Sequence, residues 1–260
     1  MSLYETLRDA LRAEQPVAVA TVVAGDHLGA KLLVRPGHEP LGTLGDPDLD
    51  RVVARDALAE LESGQTLVRH YGRHGEANEA DVDVFVESYA PPPLMVIFGA
   101  VDFTAGLAKV AKVLGYRVMV CDARQVFATR KRFPMADEVV VDWPNRVMER
   151  VGPELGPRDA VCVLTHDPKF DVPAIVGALA SRVGYIGVMG SRKTHEKRMQ
   201  RLAEAGVDDP AQLARLMSPI GIDIGARSPE ETAISICAEI IALRTGRRAP
   251  SLRDATGPIH

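Results

Sequence analysis

From residue 94 onward the chain repeats one pattern: a short, largely apolar run, a turn, and a segment with helical spacing. The apolar runs are 94–98, 116–121, 138–141, 160–164 and 185–189. Helical spacing follows at 104–114, closed by Gly115, and again at about 172–183. A strand that is apolar on both faces must be covered on both faces, and interleaved helices provide that cover over a parallel sheet. The pattern predicts an α/β fold, a Rossmann-like doubly wound parallel sheet.

Pro91-Pro92-Pro93 precedes this pattern, and three prolines hold the chain extended and bar a helix. The chain therefore divides into 1–90 and 91–260. The first part reads as a smaller α+β domain. Leu3, Leu7 and Leu11 line one face of a helix over 2–14, at i, i+4 and i+8. Strands are expected at 17–23 and 31–34 around a turn at 25–29, and at 67–70 and 82–86. A helix over 48–62 stops at Ser63-Gly64.

Charge separates the two parts as well. Residues 1–90 carry 16 acidic and 8 basic side chains, and residues 91–260 carry 19 and 23. Neither balance suits a nucleic-acid binder, although a mildly basic second part suits a phosphorylated small molecule. At 5% aromatic residues, base-stacking platforms are not expected. No apolar run has membrane-spanning length. The opening MSLYETLRDALRAEQ holds three acidic residues and no apolar stretch, unlike a signal peptide. A soluble, cytoplasmic protein is expected. Cys121, Cys162 and Cys237 lie far apart within apolar runs and read as buried thiols, not as a zinc site or disulfide framework. His70 and His74 stand at i, i+4, but Gly72 and Gly75 break the helix that would pair them as metal ligands.

Four turns carry candidate chemistry. After the first strand of the second part, Gly99 fits the start of a G-x-G-x-x-G phosphate turn, but Val101 and Thr104 replace its other glycines. Asp102 follows in the same turn. Asp122, ending the second strand, sits where an acidic residue binds ribose hydroxyls. An NAD(P) site is thus an alternative. Thr165-His166-Asp167 follows the fourth strand, where ligands bind in open parallel sheets. Asp167 also reads as a helix cap, with Pro168 at the first helical position. Gly190-Ser191-Arg192-Lys193 follows the fifth strand. Ser191 is an N-cap, and cations at 192 and 193 oppose the helix dipole unless an anion such as phosphate lodges there. Lys197, Arg198 and Arg201 read as a solvated face. Finally, Gly221, Asp223, Gly225 and Arg227 form either an ordinary sharp loop or an anion nest ahead of a helix started by Ser228, Pro229 and Glu231. Ala233, Ile236, Cys237, Ile240 and Ile241 form the core face of that helix.

Several long segments resemble the XdhC/CoxI family, accessory factors for molybdenum hydroxylases such as xanthine dehydrogenase. They are VIFGA after the prolines, FATRKRFPMADEVV at 127–140, LTHDPKFDVPAI at 164–175, YIGVMGSRKTHEKR at 185–198 and SPIGIDIGARSPEETAISICAEI at 218–240. ATVV and AKLLVRPGHEPLGTL resemble the family's N-terminal domain more loosely. The resemblance implies a non-catalytic protein that binds the molybdenum cofactor, as molybdopterin or its dinucleotide form. Such a protein holds it while a sulfido ligand is installed and delivers it to a molybdenum hydroxylase subunit. Further partners it implies are a cysteine desulfurase and a second copy of the chain. Gly99, Asp102, Asp122, His166, Asp167, Gly190, Ser191, Arg192, Lys193, Gly221, Asp223, Gly225 and Arg227 are the expected cofactor-binding positions. The rivals are an NAD(P)-dependent oxidoreductase and a ligand-free protein-binding chaperone. Two departures stand out. The family's G-A-G-H is Gly99-Ala100-Val101-Asp102 here, and its S-G-G-C-V-E is Gly45-Asp46-Pro47-Asp48-Leu49-Asp50, with Asp48 at the cysteine position.

Overall fold

A computed structural model describes residues 2–77 and 79–254. The chain divides into two compact units, one ending at Pro91 and the other beginning at Pro92. Met1 and 255–260, at the ends of the expected domain ranges, lie outside the described residues.

The first unit begins with α1 (Leu3–Arg12), closed at its start by a Ser2–Glu5 capping box. Strands β1 (Val17–Ala24), β2 (Lys31–Val34) and β3 (Leu41–Thr43) follow, then α2 (Pro47–Ser63), β4 (Leu67–Tyr71) and β5 (Val82–Tyr89). The strands form an antiparallel sheet in the order β3-β2-β1-β5-β4. One face buries Leu49, Val53, Ala57 and Leu61 of α2 against Ala18, Leu32, Val84 and Val86. The other face packs Leu3, Leu7 and Ala10 of α1 against Val17, Val19 and Leu33. Leu11, expected on that buried stripe, is exposed. The contact runs through Leu3, Thr6, Leu7 and Ala10, the i, i+3, i+4, i+7 face of a straight helix. Strand β3 is not predicted from the sequence, because a three-residue LGT edge carries no alternation.

The second unit opens with β6 (Leu94–Phe98), α3 (Asp102–Val113), β7 (Arg117–Cys121), β8 (Glu138–Val140) and α4 (Pro144–Val151). It continues with β9 (Ala160–Val163), α5 (Pro168–Ala180), β10 (Tyr185–Val188), α6 (Arg192–Glu204), α7 (Pro210–Leu213), β11 (Leu216–Met217) and α8 (Pro229–Arg244). The sheet is parallel, in the order β11-β10-β9-β6-β7-β8. That is the doubly wound Rossmann order. Helices α3 and α8 cover one face with Leu107, Ala111, Ile236 and Cys237, and α4, α5 and α6 cover the other with Val147, Ile175, Leu179 and Leu202. In α8, Ile240 is buried but Ile241, expected in the core, is more than a third exposed, since it has turned past the packed stripe.

Helix α5 starts at Pro168, not near 172. Asp167 caps it by accepting the Lys169 amide at 3.1 Å, and its buried Ala174, Ile175 and Ala178 carry the helix through Pro173. Its end also comes earlier than expected, at Ala180, where Ser181 is extended.

Candidate functional site

Phe98, Cys121, Val163 and Val188 end their strands as register partners across the sheet, so the loops after β6, β7, β9 and β10 share one edge. Adjacent strands β6 and β9 send their chains to opposite faces, which opens a crevice between their carboxyl ends. A cavity of about 440 Å³ lies there, lined by Val101, Arg124, Thr165, His166, Asp167, Pro168 and Phe170.

Gly99 forms the floor of the turn. Its φ is +110°, and a Cβ would stand 2.7 Å from the Thr165 methyl, so only glycine brings the β6 turn this close to the β9 loop. Thr104, buried at the position of the third fingerprint glycine, donates its hydroxyl to the Gly99 carbonyl. Val101 lines the cavity where a second fingerprint glycine would leave room for a pyrophosphate. Asp102 begins α3 and lies open to solvent, 3.4 Å from Arg132. Arg132 also donates to the carbonyls of Ala100 (2.9 Å) and Phe127 (3.2 Å), which fastens the 124–136 segment beside this turn.

Asp122 departs from expectation. Its carboxylate is buried and accepts the Ala100 amide at 2.8 Å, the Arg124 amide at 2.9 Å, and Arg124 Nε and Nη2 at 2.9 and 2.8 Å. Four hydrogen bonds fill both oxygens, so it is not available to ribose hydroxyls; it fixes Arg124 instead. Burial alone would raise the Asp122 pKa, but the Arg124 and backbone hydrogen bonds outweigh burial and hold it below the usual carboxylate value. Arg124, not singled out by the sequence patterns, thus presents a fixed guanidinium at the crevice mouth. The Asp-x-Arg spacing directly after a strand is the signal that could have found it.

Of the remaining expected residues, His166 is exposed on the crevice rim and Asp167 is half-buried there, its Oδ1 engaged in capping α5. Ser191 caps α6 by accepting the Thr194 amide at 3.2 Å. Arg192 and Lys193 are exposed in a first turn that contains no acidic residue. Gly190 stands against the Arg198 guanidinium, where an added Cβ would lie 3.3 Å from Nη2. The expectation of a solvated Arg198 fails: its side chain is 3% exposed. Arg198 donates to Met189 O (2.8 Å), Ser218 Oγ (3.2 Å) and Asp171 Oδ2 (3.3 Å), and Asp171 accepts the Thr165 hydroxyl. This chain ties together the loops after β9, β10 and β11. Burial pushes the Asp171 carboxyl up despite Thr165 and Arg198. The sequence signal for a buried Arg198 is Leu202, one turn beyond it on the same buried face.

The 221–227 loop divides. The Gly221 amide donates to Glu239 at 2.9 Å and its Cβ position abuts Ser235, so it faces the protein and forms no anion nest. Asp223, Gly225 and Arg227 are exposed, but the Arg227 and Ser228 amides both donate to Glu231 within the α8 capping box. Neither this loop nor 190–193 lines the crevice between β6 and β9. All three cysteines are buried, and burial pushes Cys121 and Cys237 up to about 12. No helix among the described residues is long and apolar enough to cross a membrane.

Comparison with known proteins agrees with this architecture. The family model for the XdhC Rossmann domain matches residues 95–240, and that for the XdhC and CoxI family matches 10–72. A probable xanthine dehydrogenase subunit of Bacillus subtilis (strain 168) is 29% identical over 93% of this chain and 64% of its own. The molybdenum cofactor insertion chaperone PaoD of Escherichia coli (strain K12) is 33% identical over 33% of this chain and 26% of its own. The chain thus spans less than two thirds of these relatives. The crystal structure of a xanthine dehydrogenase (BH1974) from Bacillus halodurans shares the fold, with a TM-score of 0.56 and 22% identity over 96% of this chain and 98% of that one. With its parallel-sheet unit matched almost end to end, the chain belongs to the XdhC/CoxI family.

Proposed function

We propose that this protein is an accessory factor that holds the molybdenum cofactor, as molybdopterin or its dinucleotide, and passes it to a molybdenum hydroxylase subunit. One observation carries the reading: the carboxyl edge holds Arg124, fixed at the crevice by Asp122, and Arg192 and Lys193 in a first helical turn that contains no acidic residue. The cargo is polar and phosphorylated, and these residues fit it. Helix N–H groups and exposed cations receive phosphate, while His166 and Asp167 on the rim offer a donor and an acceptor to the pterin. The hold is thus on the organic part of the cargo. An NAD(P) oxidoreductase is less well supported. The ribose-binding carboxylate is engaged by Arg124, and Val101 occupies the pyrophosphate approach.

The test is purification from cells that make molybdopterin, followed by oxidative release and pterin fluorescence. The wild-type protein is expected to carry pterin and the Arg192→Ala/Lys193→Ala variant to carry little. A normal pterin load in that variant would overturn the site assignment, and a pterin-free wild type that binds NADPH would overturn the function.

A further inference from the structure

The crevice accounts for Arg124 and Phe170 but not for the rings that flank them. With 5% aromatic residues and a single tryptophan, the chain shows no stacking surface along its sequence. Folding nevertheless gathers one at the carboxyl edge. The Arg124 guanidinium stands 4.6 Å from the Phe127 ring centre and 5.8 Å from that of Phe170. Trp143 leans on Phe170 too, with centroids 5.1 Å apart and planes at 41°. Phe98, Phe133, Tyr116 and Tyr185 of the same unit are buried, and Phe170 is only 9% exposed, whereas Trp143 is 43% exposed. It is the N-cap residue of α4, and its side chain makes no capping hydrogen bond. Phe127 already serves two guanidinium groups, Arg124 and Arg132, the latter at 5.7 Å. Among the described residues no cation lies over Trp143, and the Phe170 it touches lines the crevice.

We infer that Trp143 is a stacking platform for the planar heteroaromatic ring of a phosphorylated ligand, with the largely buried Phe170 supporting the indole and Arg124 carrying the site into the crevice. Every pterin and nucleobase has a π face, and an aromatic platform accepts either. The pterin case rests on the function proposed above; the stacking does not.

Trp143 is also the built-in reporter, because the chain contains no other tryptophan. The full-length protein is titrated with a pterin monophosphate, GMP, CMP and glycerol phosphate, following indole fluorescence and, in parallel, calorimetric heat. Ring-bearing phosphates are expected to quench Trp143 saturably, and glycerol phosphate is not. By calorimetry, Trp143→Ala is expected to weaken ring-bearing ligands roughly 5- to 100-fold, the usual range for a lost stacking partner. Trp143→Phe, which keeps a ring and the fold, is expected to retain most of the affinity. Equal affinity in wild type and Trp143→Ala, or no binding of any ring-bearing phosphate, overturns the platform. Nucleotide binding that depends on Trp143 without pterin binding upholds the platform and removes the proposed cargo. Pterin binding that ignores Trp143 upholds the cargo and removes the platform.

Discussion

Two helix entrances, one in each unit, solve the same electrostatic problem in opposite ways. Every helix begins with unpaired N–H groups and a positive end. At α2 the chain closes this end itself. Asp46 accepts the amides of Asp48 and Leu49 at 2.9 and 3.0 Å, Asp48 and Asp50 add negative charge in the first turn, and His74 pairs with Asp46 at 2.8 Å. At α6 only the Ser191 hydroxyl caps, and the first turn adds Arg192 and Lys193. The first entrance is satisfied from within. The second leaves positive potential in solvent and is the one that calls for an anion.

The largest test of this contrast removes what holds the open entrance in place. Arg198→Ala leaves Asp171 buried without its partner and is expected to cost about 3–5 kcal/mol in denaturant unfolding at neutral pH. The deficit should shrink on acidification. A carboxyl whose folded pKa is raised by burial loses stability as pH rises from its unfolded value, about 4, through the folded one. Below that window Asp171 is protonated and needs no partner. A deficit that does not change with pH would dissociate Arg198 from Asp171.

A smaller effect, of opposite sign, is expected at the entrance itself. Arg192→Ala/Lys193→Ala removes cations that oppose the helix dipole and should stabilise the ligand-free protein by about 0.3–1 kcal/mol at low salt, read as a rise in Tm. Phosphate-ligand affinity should fall in the same variant. A destabilised variant would mean the pair is structural and would erase the difference between the two entrances.

The smallest effect belongs to the closed entrance. The hydrogen bond to Asp46, and then its charge, raise the His74 pKa, while the Leu49 amide and then His74 lower that of Asp46. The His74 contribution is present below its unfolded pKa and lost as pH rises through the folded value. The Asp46 contribution is present above its unfolded pKa and lost as pH falls through the folded value. Both act between about pH 4 and about pH 6.5. His74→Gln should therefore lower Tm at pH 5.5 and leave it unchanged at pH 9; the same loss at both would remove the ion pair from the account of α2.

The legible parts of the molecule share a physical reason. Strands β6, β7, β9 and β10 are apolar on both faces, and Ser191, Ser228 and Glu231 act on amides within a few residues of themselves, so their outcome is local. The parts that the sequence hides depend on distant partners. Asp122 looks like a ribose ligand until the Ala100 amide, 22 residues earlier, joins its own neighbour Arg124 in filling its oxygens, and Arg198 looks solvated until Asp171 and Ser218 arrive from other loops. Gly221 looks like part of a nest until Glu239 takes its amide.

From the sequence by itself follow the parallel sheet, the break at the prolines, the helix caps and the resemblance to one family, because apolar periodicity and short-range hydrogen bonds act within a few residues. Which charges are free to meet a ligand was decided only by the tertiary structure. A carboxylate or guanidinium has the same letter whether it is solvated or saturated. Only the approach of loops far apart in the chain shows that Arg198 is engaged, that the Ala100 amide completes the set around Asp122, and that a chain poor in aromatic residues sets its one tryptophan against Phe170 of the crevice.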